Sequence, residues 1–339
     1  MSVLVVADPR VVDHDTGAGH PESPARYAAA IGGIEAAGLS EAVEFVLPVA
    51  CDPAAIVAVH ERAMVAAVAA ACRDGRALDA DTPVVPRSWD AAMLAAGAGL
   101  TAVERLRSGD HDGAFCVVRP PGHHATRASA MGFCLFNNIA ITARALADSG
   151  ERVMIADVDA HHGNGTQDIF EDDPAVLFVS WHQWPLYPGT GWLTDIGGPA
   201  ALGRTINLPM PPGATGDRYR RAFDEVVAPA MAEFSPTWLL ISAGYDAHRA
   251  DPLTSLGLTS GDYADVIADL VAFVGAARTV CFLEGGYDLD AVSASTGSTI
   301  SVLAGDLVHP EPPTGGGPGD AIVDSIIEFH RREGVLAPR

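Results

Sequence analysis

The chain has 339 residues, nearly half of them apolar, which allows one large core or two ordinary ones. Its formal net charge of −22 argues against nucleic acid, whose binding rests on Lys and Arg facing phosphate, and suits either plain solubility or a cationic substrate drawn in by the field. No lysine occurs, since all 21 basic residues are Arg; this excludes Schiff-base chemistry on a protein lysine, the usual pyridoxal phosphate attachment and a Walker lysine.

The first apolar run, 3–7, meets Asp8-Pro9 too early for a secretory signal and lacks a basic start. No later run approaches the ~20 apolar residues that span a membrane, so a cytoplasmic protein with no membrane partner is expected. Cys51, Cys72, Cys116, Cys134 and Cys281 form no CxxC pair, which argues against disulfides and a thiolate zinc site. A polar loop, His14 to Pro24, leads into a helical pattern at 24–37. Further helical patterns follow at 60–73 and 88–107, with an irregular loop between them at 78–87. Strands are expected at 3–7, 114–118, 153–156, 176–180, 205–208, 237–242 and 279–283, and helices at 137–148, 217–233, 261–276 and 288–304. Tyr263, Val266, Ile267, Leu270, Val271 and Val274 make one apolar stripe of helical period. Ser88 and Asp217 stand where N-caps belong. A Pro/Gly-rich connector, 309–320, precedes a last amphipathic helix carrying Ile322, Val323, Ile326, Ile327 and Phe329, with Asp320 as its cap. Strands and helices that alternate, with nearly all-apolar strands, predict an α/β fold: a parallel sheet covered on both faces, in one domain spanning 1–339.

Four of these strands end in polar, glycine-bearing segments. Residues 114–118 run into Arg119-Pro120-Pro121-Gly122-His123-His124, and 153–156 into Asp157-Val158-Asp159-Ala160-His161-His162-Gly163-Asn164-Gly165. Residues 238–242 run into Ala243-Gly244-Tyr245-Asp246, and 280–283 into Glu284-Gly285-Gly286-Tyr287. Ligands of open parallel sheets bind at the carboxyl ends of the strands. Asp159 and His161, two apart on an extended backbone, would face one spot; Asp246 supplies a third ligand and leaves a metal an open position for water. Zinc is the default, and Fe(II) accepts the same donors. His248 and Asp251 are the nearest, weaker candidates for a second metal. His123 and His124 suit proton transfer, with Asp157 and Asn164 placed to fix their tautomers. Tyr287 can present its hydroxyl to a substrate carbonyl. His162 points away from the ligands and reads as support.

These segments resemble a known family. RPPGHHA (119–125), GFCLFNN (132–138), DVDAHHGNGTQ (157–167), YPGTG (187–191), SAGYDAHRADPL (242–253) and LEGGY (283–287) look like the motifs of zinc-dependent histone deacetylases, in family order. HPESPAR (20–26) looks like the early loop of class II deacetylases and their bacterial relatives, including acetylpolyamine amidohydrolases. The resemblance implies the arginase/deacetylase fold, with a central parallel sheet of about eight strands between helices. It implies one zinc on Asp159, His161 and Asp246, His124 as general base and acid, and His123 as an electrostatic partner backed by Asp157. The family partners the second histidine with Asp or Asn; the Asn164 found here carries no charge and leaves His124 less basic. Phe133 and Tyr187 match the walls of an acyl-lysine tunnel and Gly132 its floor. Asp157 and Ser180 match a structural potassium site, and Asp81 sits about where some members hold the substrate backbone. Leu253 is apolar where polyamine-selective relatives carry an acid. The expected function is zinc-dependent hydrolysis of N-acetyl amides of lysine-like amines, on a small acetylated amine or an acetyl-lysine peptide. Acetylpolyamine hydrolysis is the alternative. A binuclear ureohydrolase and a non-catalytic acetyl-lysine module are remoter ones. A homo-oligomer is compatible with the sequence.

Overall fold

In the computed structural model, which describes residues 2–336, eight strands form one all-parallel sheet. They are β1 (Val3–Ala7), β2 (Val43–Val46), β3 (Gly113–Val117), β4 (Val153–Asp157), β5 (Val176–Gln183), β6 (Thr205–Met210), β7 (Trp238–Ala243) and β8 (Thr279–Leu283). Their spatial order is β2-β1-β3-β8-β7-β4-β5-β6. Alternation along each strand divides its residues between two layers. Val3, Val5, Phe115, Met154 and Leu239 belong to one core, and Leu4, Val6, Ala114, Ile155 and Leu240 to the other. Both sides are buried, so both sides are apolar, which is why these strands read as unbroken apolar runs.

The helices are α1 (Ala25–Ala36), α2 (Pro53–Ile56), α3 (Arg62–Asp74), α4 (Ser88–Ser108), α5 (Asn138–Asp148), α6 (Asn164–Phe170), α7 (Gly216–Ala222), α8 (Ala228–Phe234), α9 (Ser260–Val274), α10 (Leu289–Leu303) and α11 (Asp320–Arg332). Helices α2 to α6 cover one core, and α1 with α7 to α11 cover the other. The stripe on α9 is seated as its period requires: Tyr263, Ile267 and Leu270 are buried, each apolar side chain contributing about 1.5–3 kcal/mol.

Several boundaries differ from expectation. Strand β2 was not anticipated, because it is the edge strand and only half covered; Glu44 and Phe45 are exposed. Helix α6, which was not expected, begins at Asn164 within the polar tail of β4. The expected helix 217–233 is two helices joined by a wide π turn, Phe223–Val227. Neither Ser88 nor Asp217 is an N-cap: each lies inside its helix, behind Arg87 and Thr215 respectively, and α11 follows Gly319 with Asp320 already helical. The Ser88 hydroxyl instead accepts from the Val85 amide at 2.9 Å and meets His14 Nδ1 at 2.7 Å.

The connector 309–320 is not a free linker. Glu311 accepts hydrogen bonds from His248 Nε2 and Arg249 Nη2, each at 2.6 Å, and Thr314 donates to Asp262 at 2.9 Å through its amide and 2.7 Å through its hydroxyl. This strap braces both the loop after β7 and the first turn of α9, where Thr259 and Asp262 form a capping box.

Candidate active site

Strands β3, β8, β7 and β4 are consecutive neighbours at the centre of the sheet. Their four polar tails therefore leave the same edge side by side. In sequence these tails lie up to 164 residues apart, between His123 and Tyr287.

Asp159, His161 and Asp246 offer donor atoms that all lie within 4.8 Å of one another. His161 Nδ1 is 3.1 Å from Asp159 Oδ1 and 2.9 Å from Asp246 Oδ2. The expected reason for this convergence is not the observed one. Strand β4 stops at Asp157, and residues 158–163 bend. Asp159 Oδ1 accepts the His161 amide at 2.8 Å, and Asp246 Oδ1 accepts the Ala160 amide at 2.7 Å, so the carboxylates themselves shape the turn. Asp159 Oδ2 also takes the Gly285 amide at 2.8 Å. Glycine is required at 285 because a Cβ there would run into the Asp246 and Asp159 carboxylates.

The electrostatics ask for a cation. Burial opposes the charged form of His161, yet Asp246 and Asp159 outweigh it and raise the imidazole to about 10. Burial also disfavours ionised Asp159, but His123 and His161 hold it below the usual carboxylate range. Burial and the Asp159 charge push Asp246 up. Two carboxylate oxygens and one imidazole nitrogen, buried and converging, are a donor set that fits zinc or Fe(II).

The paired histidines sit beside this group. His123 Nδ1 meets Asp157 Oδ2 at 2.9 Å, and His124 Nδ1 meets Asn164 Oδ1 at 2.8 Å. Burial lowers His123, but the charges of Asp159 and Asp157 outweigh it and hold this imidazole well above its usual range. Burial, with the His123 and His161 charges, holds His124 well below it. Neighbours of one residue type are thus driven to opposite protonation states, a pattern typical of acid–base sites.

A pocket of about 240 Å³ opens onto these groups. Gly132, Phe133, Tyr187 and Leu253 line it, as does Asp81, together with His124, His161 and Tyr287. Leu186 lines it too and was not anticipated. Tyr187 and Leu253 are exposed and form the rim; His124 and His161 are buried and form the floor. The Phe133 ring stands edge-on to Tyr287 at 5.9 Å, and Tyr187 edge-on to His124 at 5.2 Å. A Cβ on Gly132 would come within 2.6 Å of the His124 ring, so this glycine sets the closeness of wall and base.

The histone deacetylase domain model matches residues 20–303. The chain belongs to the histone deacetylase family. A probable deacetylase of Archaeoglobus fulgidus is 37% identical over 308 residues, covering 89% of this chain and 86% of that protein. Human polyamine deacetylase HDAC10 is 38% identical over 252 residues, covering 71% of this chain and 37% of the human protein. The crystal structure of the HDA15 HD domain superposes with a TM-score of 0.91 at 34% identity, covering 99% of this chain and 98% of that one. The fold is thus the arginase/deacetylase fold, and the relatives' names support a deacetylase.

In this family member the remaining sequence candidates fall outside the ligand group. His162 bonds Thr190 through Nδ1 at 2.8 Å and Gln167 through Nε2 at 2.9 Å, a supporting role. His248 is committed to Glu311, and the Asp251 carboxylate takes two backbone amides. Asp157 and Ser180 are register partners across β4 and β5, with Ser180 Oγ at 3.0 Å from His182 Nδ1. Among the described residues no helix is long and apolar enough to cross a membrane.

The deacetylase site also has a buried frame that motif reading passed over. Glu284 Oε2 accepts the amides of Gly122 and His123 at 2.7 and 3.1 Å, tying the β8 tail to the β3 tail. Glu22 lies between two buried guanidinium groups, with Arg119 at 2.5 Å and Arg26 at 3.2 Å. Arg26 then donates to the carbonyls of Glu284 and Gly286 and lies 5.2 Å over the Tyr287 ring. The signal was present in HPESPAR, where Glu22 and Arg26 are four apart, but the second arginine that Glu22 binds, Arg119, is 97 residues from it.

Proposed function

We propose that this chain hydrolyses N-acetyl amides of lysine-like amines, releasing acetate and the free amine, with zinc held by Asp159, His161 and Asp246. The observation that carries the reading is the apolar-rimmed pocket that ends on a metal-compatible triad flanked by two histidines, bonded through Nδ1 to Asp157 and Asn164 respectively, and a tyrosine. An apolar bore suits a methylene stem, and a polar floor suits an amide at its end. When bound, zinc supplies Lewis acidity that polarises an acyl carbonyl and makes nearby water more acidic.

The chain's own residues supply the rest. Asn164 Oδ1 can only accept, so the proton of His124 resides on Nδ1 and the Nε2 lone pair is free. His124 then takes a proton from the attacking water and returns it to the departing amine nitrogen. His123, bonded to Asp157 at 2.9 Å, presents its Nε2 edge to the reacting centre and supports the developing oxyanion electrostatically. Burial, together with Asp246, pushes the Tyr287 hydroxyl well above its usual range, so it remains a donor and binds the carbonyl oxygen most strongly as charge develops there.

The test is turnover of an acetyl-lysine peptide, trifluoroacetyl-lysine, acetylputrescine and acetylspermidine side by side, before and after chelation and after zinc is restored. Activity lost on chelation and recovered with about one zinc per chain supports the reading and excludes a two-metal ureohydrolase. Zinc-loaded protein that turns over none of the four refutes it, and leaves a binding module. One observation favours acetylpolyamines as a second reading: Asp81 lines the pocket, where it would attract a substrate's second ammonium. Faster turnover of acetylspermidine than of acetyl-lysine peptide selects that reading.

A further inference from the structure

We propose that Asp251 is a positioning residue whose single carboxylate latches the tyrosine at the floor of the pocket to the leucine at its rim. This rests on the reading of Tyr287 as the hydroxyl donor. Asp251 is buried, and its two oxygens are divided between two chain segments. Oδ2 accepts the backbone amide of Tyr287 at 2.7 Å, and Oδ1 accepts the amide of Leu253 at 2.9 Å. Leu253 and Tyr287 both line the pocket.

Tyr287 needs such an anchor. It follows Gly285 and Gly286, and Gly286 has φ +112°, a conformation with little backbone restraint of its own. The Gly285 amide is tied to Asp159 and the Gly286 carbonyl to Arg26, which hold the tail only up to Gly286. Beyond it, the Tyr287 amide is fixed by Asp251. The anchor is itself braced: the Asp251 amide donates to the His248 carbonyl at 2.9 Å, and His248 Nε2 is 2.6 Å from Glu311 in the strap. The hydroxyl of Tyr287 must be held within a fraction of an ångström of the carbonyl oxygen to be useful, so this chain of bonds bears on rate more than on binding.

Asp251→Asn is nearly isosteric but places an NH2 against one of the two amides, opposing donor to donor. The expected result is a kcat about 10- to 100-fold lower, the cost of a misplaced group, with KM changed less and zinc content unchanged. If Asp251 acts through Tyr287, the double variant D251N/Y287F is within about two-fold of Y287F alone, because the latch has nothing left to position. Effects that multiply in the double variant, or a D251N kcat within two-fold of wild type, overturn the proposal. A Y287F enzyme as fast as wild type overturns the underlying reading instead, and that arm shows it by itself. Amide hydrogen exchange on the wild-type protein decides the matter if D251N does not fold. The Tyr287 amide, flanked by glycine and outside regular structure, should exchange at least about 10²-fold more slowly than in an unstructured peptide, and free exchange overturns the latch.

Discussion

Replacing Tyr287 by Phe removes one hydroxyl from the pocket and keeps the ring that packs edge-on to Phe133 and beneath Arg26. Among the described residues the hydroxyl has no hydrogen-bond partner, so its loss strands no donor or acceptor in the fold. The stability change should therefore stay within about 0.5 kcal/mol, the range of a substitution that breaks no packing or bonding. Tyr287 is outside the Asp159, His161 and Asp246 group, so zinc content should not change either. What is lost is a donor to the oxyanion, worth about 10²–10³ in kcat, or about 2.7–4 kcal/mol of transition-state stabilisation. The assay is steady-state turnover of an acetyl-lysine peptide by wild-type and Y287F protein of matched zinc content, with thermal melts in parallel. Because burial keeps the wild-type hydroxyl protonated well beyond its usual range, this residue should add no alkaline limb to the rate profile. A Y287F kcat within three-fold of wild type would refute the reasoning. So would a loss accompanied by an equal loss of zinc, since the effect would then belong to metal retention.

The rim offers a second test. Leu253→Glu puts a carboxylate at a position that is 40% exposed, and should raise kcat/KM for acetylspermidine relative to acetyl-lysine peptide by about ten-fold at low salt, less at high salt; an unchanged ratio would remove Leu253 as a selector. Acid should unfold the protein over a definite window. Burial lowers His14, His60, His182 and His330 from 6.5 to about 4, so between those values the unfolded chain binds more protons and stability falls as pH drops. Each contributes a slope of up to about 1.4 kcal/mol per pH unit between those values; denaturant midpoints that do not move between pH 7 and 4 contradict this. Among the described residues His330 has no partner for either ring nitrogen, and His330→Leu should make the acid side less steep. Glu22→Gln removes the charge between Arg119 and Arg26 and should cost about 3–5 kcal/mol in urea unfolding, where less than 1 would mean the frame is dispensable. Its sign with pH is that of an acid depressed to about 2 from 4.5: the contribution is complete above about 4.5 and lost as pH falls toward 2.

The strands that build the site were legible because both faces of a central parallel strand are buried, and an unbroken apolar run ending in charge fits little besides such a strand. Edge strand β2 was not, since one half-covered strand leaves only a weak alternation. The pairing of His123 with Asp157 and of His124 with Asn164 was anticipated, and the geometry agrees. The Asp159 and His161 pair converges as expected, but on a bent segment held by carboxylate-to-amide bonds. That reason lies in a three-dimensional turn closed by Asp246, which period-two reasoning does not contain. The connector 309–320 shows the same limit. Its composition reads as a linker, yet Glu311 and Thr314 bind it to the loop after β7 and to α9, because a polar segment is held by specific partners that composition does not name.

By itself, then, the sequence determined the residue types, the strand ends that carry them and the alternation that demands a covered parallel sheet. Those are local properties, written in runs of a few residues. Tertiary structure alone decided that β3, β8, β7 and β4 would be neighbours, that Glu22 would join two distant arginines, and that Asp251 would hold the amide of Tyr287. Strand order and shared partners depend on which long-range contacts close together, and no local pattern in the chain encodes that choice.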